Sequence, residues 1–352
     1  MPSAPLATAA DLPRPITELH LHLEGTLEPE TIFALADRHG LELPHRDLDD
    51  LRGKYEFADL QSFLDLYYAN MAVLRTSADF ATLTWSYARR AHAAGVRHAE
   101  IFVDPQAHAL RGISCATVLR GVEAGLRRAE AELGLTGGII VCVLRDRPVP
   151  EARRMLEECL ATEVPLLGLG LDSAEAGHPP RLFTEVFAAA GEANLRRVAH
   201  AGEEGPARYV WEALDLLGVE RIDHGVRCLE DDALVRRLAA EQIPITVCPL
   251  SNVRLRVVDR LADHPLRQML ERGLLVTVNS DDPAYFGGYV DDNLQQCRQA
   301  LGLSDAELTA LAGNSITASF AAPERKADLQ RQLAASVGNH PGRGLTINDR
   351  RW

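Results

Sequence analysis

The chain has 352 residues, of which 46% are hydrophobic and 25% are charged, a composition typical of a soluble globular protein. Its net charge of −13 argues against nucleic acid or an anionic membrane as a partner, because both would repel an acidic surface. The sequence has no apolar run of about 18 residues, so it predicts no membrane-spanning helix.

The first predicted strand, residues 16–23, carries two histidines. His20 and His22 are separated by one residue, so a strand presents both imidazoles on the same face. Such a pair can hold a divalent ion, although two ordinary polar positions on a half-exposed strand would give the same pattern. Residues 28–40 then predict a helix that ends at a glycine. Residues 57–94 predict a long helical region that could form a lid or wall over the end of this strand.

Seven further strand patterns follow, and each is succeeded by a helical pattern. The predicted strands are 96–105, 137–146, 166–175, 195–204, 221–227, 243–252 and 274–283. Eight strand–helix units indicate an α/β fold, a (β/α)8 TIM-type barrel with extra helices after the first strand and at the C-terminus. Residues 1–352 are expected to form a single barrel domain with loose tails at 1–14 and 338–352, and a doubly wound open sheet is the alternative.

Polar side chains collect where the predicted strands end, which is where barrels of this type place their active sites. These side chains are His20, His22, His200, Glu203, His224, Asp281 and Asp282. Each alone has a structural alternative, such as a core histidine or a helix cap, but their joint placement favours a shared site. Three imidazoles and one carboxylate are typical of a catalytic zinc site with a position left for water. The expected ligands are His20, His22, His200 and Asp281.

The remaining polar residues of this group suggest metal-assisted hydrolysis. Zinc lowers the pKa of bound water, so hydroxide forms near neutral pH. His224 and Asp281 are expected to orient this hydroxide and to accept its proton. Glu203 is expected to act as general acid on the substrate, and Asp282 to accept a hydrogen bond from it.

Five motifs resemble those of the adenosine/adenine deaminase branch of the amidohydrolase superfamily, over residues 14–320. They are HLHLEGTL (20–27), HAGEEG (200–205), RIDHGVR (221–227), CPLSN (248–252) and NSDDPAYFGGY (279–289). The resemblance implies a (β/α)8 barrel that binds one zinc ion through the four expected ligands. It further implies that Glu203 protonates N1 of a purine, that His224 orients the hydroxide attacking C6, and that Asp282 hydrogen-bonds N7.

Two glutamates make the chain similar to the members of this family that act on adenine. Glu24 stands where adenosine-specific members carry a shorter aspartate that reaches the ribose, and Glu175 stands where they carry a glycine. Both carboxylates are expected to bind the N9/N3 edge of a base without sugar, although Glu24 could instead be a solvated loop residue. The resemblance therefore implies hydrolysis of adenine to hypoxanthine and ammonia. Adenosine and N6-substituted adenines are the alternative substrates.

A metal-free barrel, such as an aldolase (a lyase) or an isomerase, is the alternative from another class of enzyme. It would need a catalytic lysine on a strand, whereas the only lysines, Lys54 and Lys326, lie outside the predicted strands. The superfamily's two-metal members also carry a lysine, at the end of strand four, so one metal is expected here. The expected partner is a small purine base, without nucleic acid or membrane, and an oligomer is compatible with the sequence. Six scattered cysteines without a Cys-x-x-Cys pair favour the reducing cytoplasm.

Overall fold

The computed structural model describes residues 12–338, and within this range eight parallel strands form one sheet in chain order. The strands are β1 (Ile16–His22), β2 (Val96–Val103), β3 (Thr136–Leu144), β4 (Gly168–Asp172), β5 (Arg196–Ala201), β6 (Arg221–His224), β7 (Ile245–Val247) and β8 (Val276–Val278). β1 closes the sheet against the segment after β8. There the His22 N–H donates to the Asp281 carbonyl at 3.0 Å, and the Asp281 N–H donates to the His20 carbonyl at 3.1 Å. The predicted TIM-type barrel is confirmed.

Helices lie between the strands and cover the sheet. They are α1 (Pro29–His39), α2 (Leu48–Arg52), α3 (Leu60–Asn70), α4 (Ser77–Ala94), α5 (Pro105–Ala109), α6 (Cys115–Leu133), α7 (Val149–Leu160), α8 (Thr184–Glu192), α9 (Ala207–Glu212), α10 (Asp232–Glu241), α11 (Pro249–Arg254), α12 (Leu266–Glu271), α13 (Pro283–Phe286), α14 (Val290–Leu301), α15 (Asp305–Ala318) and α16 (Pro323–Gly338). The additional helices predicted after the first strand and at the C-terminus are therefore present. None of the helices in the described range is both long enough and apolar enough to cross a bilayer.

The ends of the chain and the lengths of several strands differ from the predictions, most of all β7 and β8. The strand predicted for 243–252 is shorter, because Pro249 begins α11, where a proline fits the first helical turn. Leu12 is buried in the core, so the last residues of the predicted N-terminal tail are packed rather than loose. The rest of both predicted tails, apart from Gly338 at the end of α16, lies outside the described residues.

Side chains inside the barrel pack against the histidines of β1. A small apolar cluster from three strands fills it: Phe102, Ile140, Cys142 and Val198. The Phe102 ring packs edge-on against His20 and His22, with centroid distances of 5.0 and 5.1 Å. Arg221, at the start of β6, is fully buried and pairs with Glu100 at 2.5 Å. Each charge has further polar partners, since the Phe320 N–H donates to Glu100 and Arg221 also donates to the Leu19 carbonyl at 3.0 Å. Loss of either side chain would still leave the other charge buried without its ionic partner.

Candidate active site

The C-terminal ends of three strands bring the predicted ligands together inside the barrel. His20 and His22 come from β1, His200 from β5, and Asp281 follows β8. The ligand atoms of His20, His200 and Asp281 lie within 4.8 Å of one another, together with those of His224 from the end of β6. His22 adds a fifth side chain, with its Nε2 atom 3.2 Å from His200 Nε2. The residues predicted from the strand ends therefore share one site.

Two residues of this cluster have a left-handed backbone, which residues other than glycine seldom adopt. The φ angle is 60° at His224 and 65° at Asp281. Both stand where a strand gives way to a turn. Strained conformations of this kind persist only where the surroundings hold them, and they are common at functional sites.

The atoms at the centre of the cluster fit a cation. Asp281 Oδ1 lies 3.3 Å from His20 Nε2 and 3.5 Å from His22 Nε2. His20 Nε2 is buried and has no hydrogen-bond partner among the described residues, and the Nε2 atoms of His22 and His200 face each other. Two imidazole lone pairs facing each other repel unless a cation or a proton lies between them. The side chains therefore form a site able to hold a divalent metal ion.

Hydrogen bonds behind His20 decide which of its nitrogens faces the centre. The Thr246 hydroxyl donates to Asp223 Oδ1 at 2.8 Å, so it accepts from His20 Nδ1, 3.0 Å away. His20 consequently presents an unprotonated Nε2 to the centre. Asp223 Oδ2 also faces His200 Nδ1 at 3.7 Å. A carboxylate behind the imidazole ligands is the usual arrangement at metal sites, so Asp223 belongs to the site although the sequence did not single it out.

His22 has a carboxylate of its own behind it. Asp172 Oδ2 faces His22 Nδ1 at 3.6 Å. Burial lowers the pKa of His22 to about 4, against the opposing charge of Asp281. Burial and the neighbouring histidines also hold the pKa of His200 well below its usual range. Both imidazoles are therefore neutral at pH 7, which is the form that binds metal.

A chain of hydrogen bonds fixes the tautomer of His224. The Leu266 N–H donates to His264 Nδ1 at 3.1 Å, so His264 carries its proton on Nε2 and donates to Asn252 Oδ1 at 3.1 Å. The Asn252 side-chain amide then donates to His224 Nδ1 at 3.4 Å. His224 consequently carries its proton on Nε2, which lies 3.6 Å from Glu203 Oε2.

This tautomer corrects part of the role expected for His224. Burial, reinforced by the charge of His20, lowers the pKa of His224 to about 3. Its Nε2 already carries a proton and its Nδ1 already accepts one hydrogen bond, so it is a poor proton acceptor at neutral pH. It remains suited to orient an attacking oxygen by donating a hydrogen bond to it.

Glu203 is a buried carboxyl group beside the cluster. Its Oε1 atom has no hydrogen-bond partner among residues 12–338. Burial raises the pKa of Glu203 well above its usual range, and the charges of Asp281 and Glu175 act in the same direction. A carboxyl group of this kind keeps its proton near neutral pH and can donate it, as a general acid must.

Asp281 and Asp282 are neighbours in opposite protonation states. Burial alone would raise the pKa of Asp281, but the neighbouring imidazoles of His20, His224 and His22 hold that pKa well below its usual range. Burial and the charge of Asp281 raise the pKa of Asp282 well above its usual range. Asp282 precedes α13, yet its side chain caps no amide, and its Oδ1 atom has no partner in the described structure. Gly25 makes room for this carboxyl group, since a Cβ atom there would lie 2.0 Å from Asp282 Oδ1.

Glu24 is fully buried, which excludes a solvated loop carboxylate. Its Oε1 atom accepts hydrogen bonds from His108 Nε2 at 2.8 Å and from the Asp104 N–H at 3.3 Å. Arg111 donates to His108 Nδ1 at 2.7 Å and so fixes the tautomer of that histidine. Glu24 Oε2 has no partner within the described range. This side chain is not among those that line the cavity beside the metal-ligand cluster, so its contact with a substrate stays a prediction.

Glu175 does not take the position predicted for it. Both of its carboxylate oxygens accept backbone N–H groups of residues 202–205, and its side chain does not line the cavity beside the metal-ligand cluster. The expectation that Glu175 contacts the substrate is therefore corrected. It binds the loop that carries Glu203.

The cavity beside the cluster has one apolar and one acidic side. The residues of α3 that line it are Leu60, Phe63, Leu64, Tyr67 and Tyr68, so the helical region after β1 forms a wall. Asp104 and Asp172 line it as well, and each has a buried oxygen without a partner in the described structure. Neither was predicted, although Asp104 directly follows β2 and Asp172 ends β4. The strand-end rule applied to every strand would have found both.

Comparisons with known proteins agree with this geometry. A family model described as Adenosine deaminase matches residues 15–336. An adenine deaminase from Streptomyces coelicolor is 59% identical over 309 residues, covering 88% of this chain and 91% of that protein. The crystal structure of adenine deaminase from Arthrobacter aurescens has a TM-score of 0.91 at 58% identity, covering 92% of this chain and 99% of that one. An amidohydrolase from Burkholderia ambifaria, crystallised with bound Zn, has a TM-score of 0.86 at 29% identity, covering 95% and 94%. The chain belongs to the adenosine deaminase family, as its motifs predicted.

Proposed function

We propose that the protein is a zinc-dependent adenine deaminase, which hydrolyses adenine to hypoxanthine and ammonia. The observation that carries the proposal is the position of Glu203, a buried carboxyl group next to a cluster of imidazoles around Asp281. This arrangement offers a proton donor and a metal site to one face of a cavity. Relatives named adenine deaminase, at 59% and 54% identity, support adenine as the substrate.

The zinc ion would be held by His20, His22, His200 and Asp281. Neutral imidazoles and a carboxylate are a donor set that zinc accepts, and the unpartnered His20 Nε2 fits a ligand. When bound, zinc lowers the pKa of water towards neutrality and so supplies hydroxide for hydrolysis. The zinc-bound amidohydrolase of the same fold supports this choice of metal.

The side chains around the metal site carry the protons of the reaction. Glu203 donates its proton to the ring N1 of adenine, which draws electrons from C6 and prepares that carbon for attack. His224 donates a hydrogen bond from Nε2 to the attacking oxygen and so orients it. Asp281 Oδ2, 3.7 Å from His224 Nε2, takes the proton that the attacking water loses and passes it to the leaving amino group. Ammonia leaves, and the proton that remains on the oxygen at C6 returns to the Glu203 carboxylate. Hypoxanthine forms with its proton on N1, and Glu203 is again protonated.

The acidic side of the cavity suits the edge of a purine base that lacks a sugar. Asp282 faces N7, and the Asp104–Asp172 pair faces N3 and N9. Burial raises the pKa of Asp104 well above its usual range and that of Asp172 to about 7, and their carboxyl oxygens lie within 4.8 Å of each other. A pair that shares a proton can donate to N3 and accept from the N9 hydrogen. Adenosine has no hydrogen on N9, so it could not donate a hydrogen bond to this pair.

An ammonia-release assay with adenine and adenosine side by side, on protein of measured zinc content, tests the proposal. We expect rapid release from adenine and little from adenosine. Faster release from adenosine would overturn the substrate but not the hydrolytic chemistry. If only an N6-substituted adenine were hydrolysed, that compound would be the substrate, and the class of reaction would be unchanged. Activity that survives complete removal of metal by a chelator would overturn the zinc-dependent mechanism.

We also propose that the enzyme works in the cytoplasm on a free, small-molecule base. All six cysteines lie within the described residues as buried, unpaired thiols. Thiols in this state are typical of a reducing compartment. Cell fractionation with an antibody against the protein tests this location.

A further inference from the structure

The carboxylate of Glu175 accepts four consecutive backbone N–H groups. Oε1 accepts from Gly202 at 2.7 Å, and Oε2 accepts from Glu203 at 3.0 Å, Glu204 at 2.9 Å and Gly205 at 2.8 Å. Successive amides that converge in this way form an anion-binding concavity. Here the anion is a side chain of the protein itself, carried by the loop after β4.

The loop is shaped around this carboxylate. Glu175 is only 1% exposed, so its charge depends on these amides for solvation. A Cβ atom at Gly205 would lie 2.5 Å from Tyr209 Cδ2 and 2.6 Å from Glu175 Oε1, and therefore a larger residue at that position would displace both the ring and the carboxylate. The close approach requires a glycine.

Arginines hold the carbonyl groups of the same loop. Arg145 is fully buried and donates to the His200 carbonyl at 2.6 Å. The Arg227 side chain donates to the Glu204 carbonyl at 2.6 Å, and the Arg227 N–H donates to the Gly202 carbonyl at 2.9 Å. Within residues 200–205, Glu175 thus binds backbone N–H groups, while Arg145 and Arg227 bind backbone carbonyl groups. These hydrogen bonds make the loop a preformed element of the site.

The side chain of Glu203 has no comparable support. Its Oε1 atom has no hydrogen-bond partner among the described residues, and its Oε2 atom lies 3.6 Å from His224 Nε2, beyond a hydrogen bond. The position of this carboxyl group is therefore set by the backbone that carries it. That backbone is bound by Glu175.

We propose that Glu175 is a positioning residue for Glu203, acting through the amides of residues 202–205 and making no contact with the substrate. The inference rests on the proposed function, because it takes Glu203 as the proton donor. Displacing a reacting group by about 1 Å is enough to slow catalysis about 100-fold, even when the change lies away from the chemistry.

Glu175→Gln tests the proposal, because one oxygen that accepts amides becomes an NH2 group that cannot accept. We expect kcat for adenine to fall about 100-fold, with KM changed less than threefold and zinc content unchanged. Hydrogen–deuterium exchange of the peptide containing residues 201–206 should become faster. Glu185→Gln, an exposed glutamate on α8, is the matched control and should behave as the wild type in all three measurements.

Gly205→Ala provides a second test by displacing the same carboxylate from the loop side, and it should lower kcat in the same way. A rise in KM at unchanged kcat in Glu175→Gln would make Glu175 a substrate contact and overturn the proposal. Unchanged kinetics and exchange would also overturn it. Glu203→Gln, measured in parallel, distinguishes failure of the proposed function from failure of this inference. If Glu203→Gln stays active, the assignment of Glu203 as the proton donor fails. If it is inactive while Glu175→Gln is normal, only the positioning role fails.

Discussion

His20 Nδ1 lies 3.0 Å from the hydroxyl oxygen of Thr246, and this contact fixes the tautomer of a proposed metal ligand. The hydroxyl hydrogen is already donated to Asp223, so the threonine oxygen accepts from the imidazole. The lone pair of His20 Nε2 therefore faces the centre of the site before a metal arrives. Preorganisation of this kind strengthens metal binding, because no ring has to change its protonation first.

Thr246→Val should weaken metal binding about 10-fold, because the ring of His20 loses the acceptor that selects its tautomer. Competition with a chelator measures the zinc dissociation constant. Thr84→Val is the control, since that buried hydroxyl donates only to the carbonyl of Phe80 in its own helix α4. Equal zinc affinity in Thr246→Val and wild-type protein would show that the threonine does not organise the site.

Glu203→Gln should lower kcat for adenine by about 10²- to 10⁴-fold, because the amide cannot supply a proton to the ring. Zinc content should stay at the wild-type value, since Glu203 is outside the proposed ligand set. Steady-state ammonia release and metal analysis on the same sample provide the two readings. Near-normal turnover by the metal-replete variant would contradict the assignment of Glu203 as the proton donor.

His264 should make the protein less stable in mild acid. Burial lowers its folded pKa to about 4, below the value of about 6.5 in an unfolded chain, so the unfolded state takes up the proton first as the pH falls. Its contribution is complete above pH 6.5 and is lost progressively down to pH 4, with a loss of about 2 kcal/mol at pH 5.

The comparison of His264→Gln with the wild type isolates this contribution. Urea unfolding of both metal-free proteins at pH 7 and pH 5 gives the two differences in unfolding free energy. The wild-type advantage should shrink by about 2 kcal/mol at pH 5, because the variant has no imidazole to protonate at this position. The same advantage at both pH values would mean that His264 is not held neutral by the fold.

Asp104→Asn should lower kcat/KM for adenine by about 10- to 100-fold, as expected when a buried group loses its hydrogen bond to a ligand. The Asn side chain cannot share a proton with Asp172, so the pair can no longer both donate to and accept from the base. Asp65→Asn, on the exposed side of α3, serves as the control. Retention of full adenine efficiency in Asp104→Asn would remove the acidic pair from substrate recognition.

Much of the site was predictable from local pattern. His20 and His22 alternate on a strand, and His200, His224, Glu203, Asp281 and Asp282 stand where strands of a repeating strand–helix pattern end. The C-terminal ends of the strands in a barrel lie at one rim, independently of the conformation of the loops. These residues were therefore expected to be neighbours. Asp104 and Asp172 also stand at strand ends, so the same geometry brings them to this rim.

The direction of individual side chains was decided by the tertiary structure. Glu175 follows β4 as a substrate contact would, yet its carboxylate turns to the backbone amides of the neighbouring loop, because a buried charge takes the nearest donors that can solvate it. Asp223 and Asn252 set the tautomers around the site through partners that are distant in the chain. The barrel, its rim and the residue types at that rim follow from hydrophobic periodicity and from the order of the strands, both of which can be read along the chain. Three-dimensional packing determines which carboxylates face the substrate, which of them bind loops and which nitrogens carry protons. Hydrogen bonds are short and directional, so a pattern along the chain does not specify them.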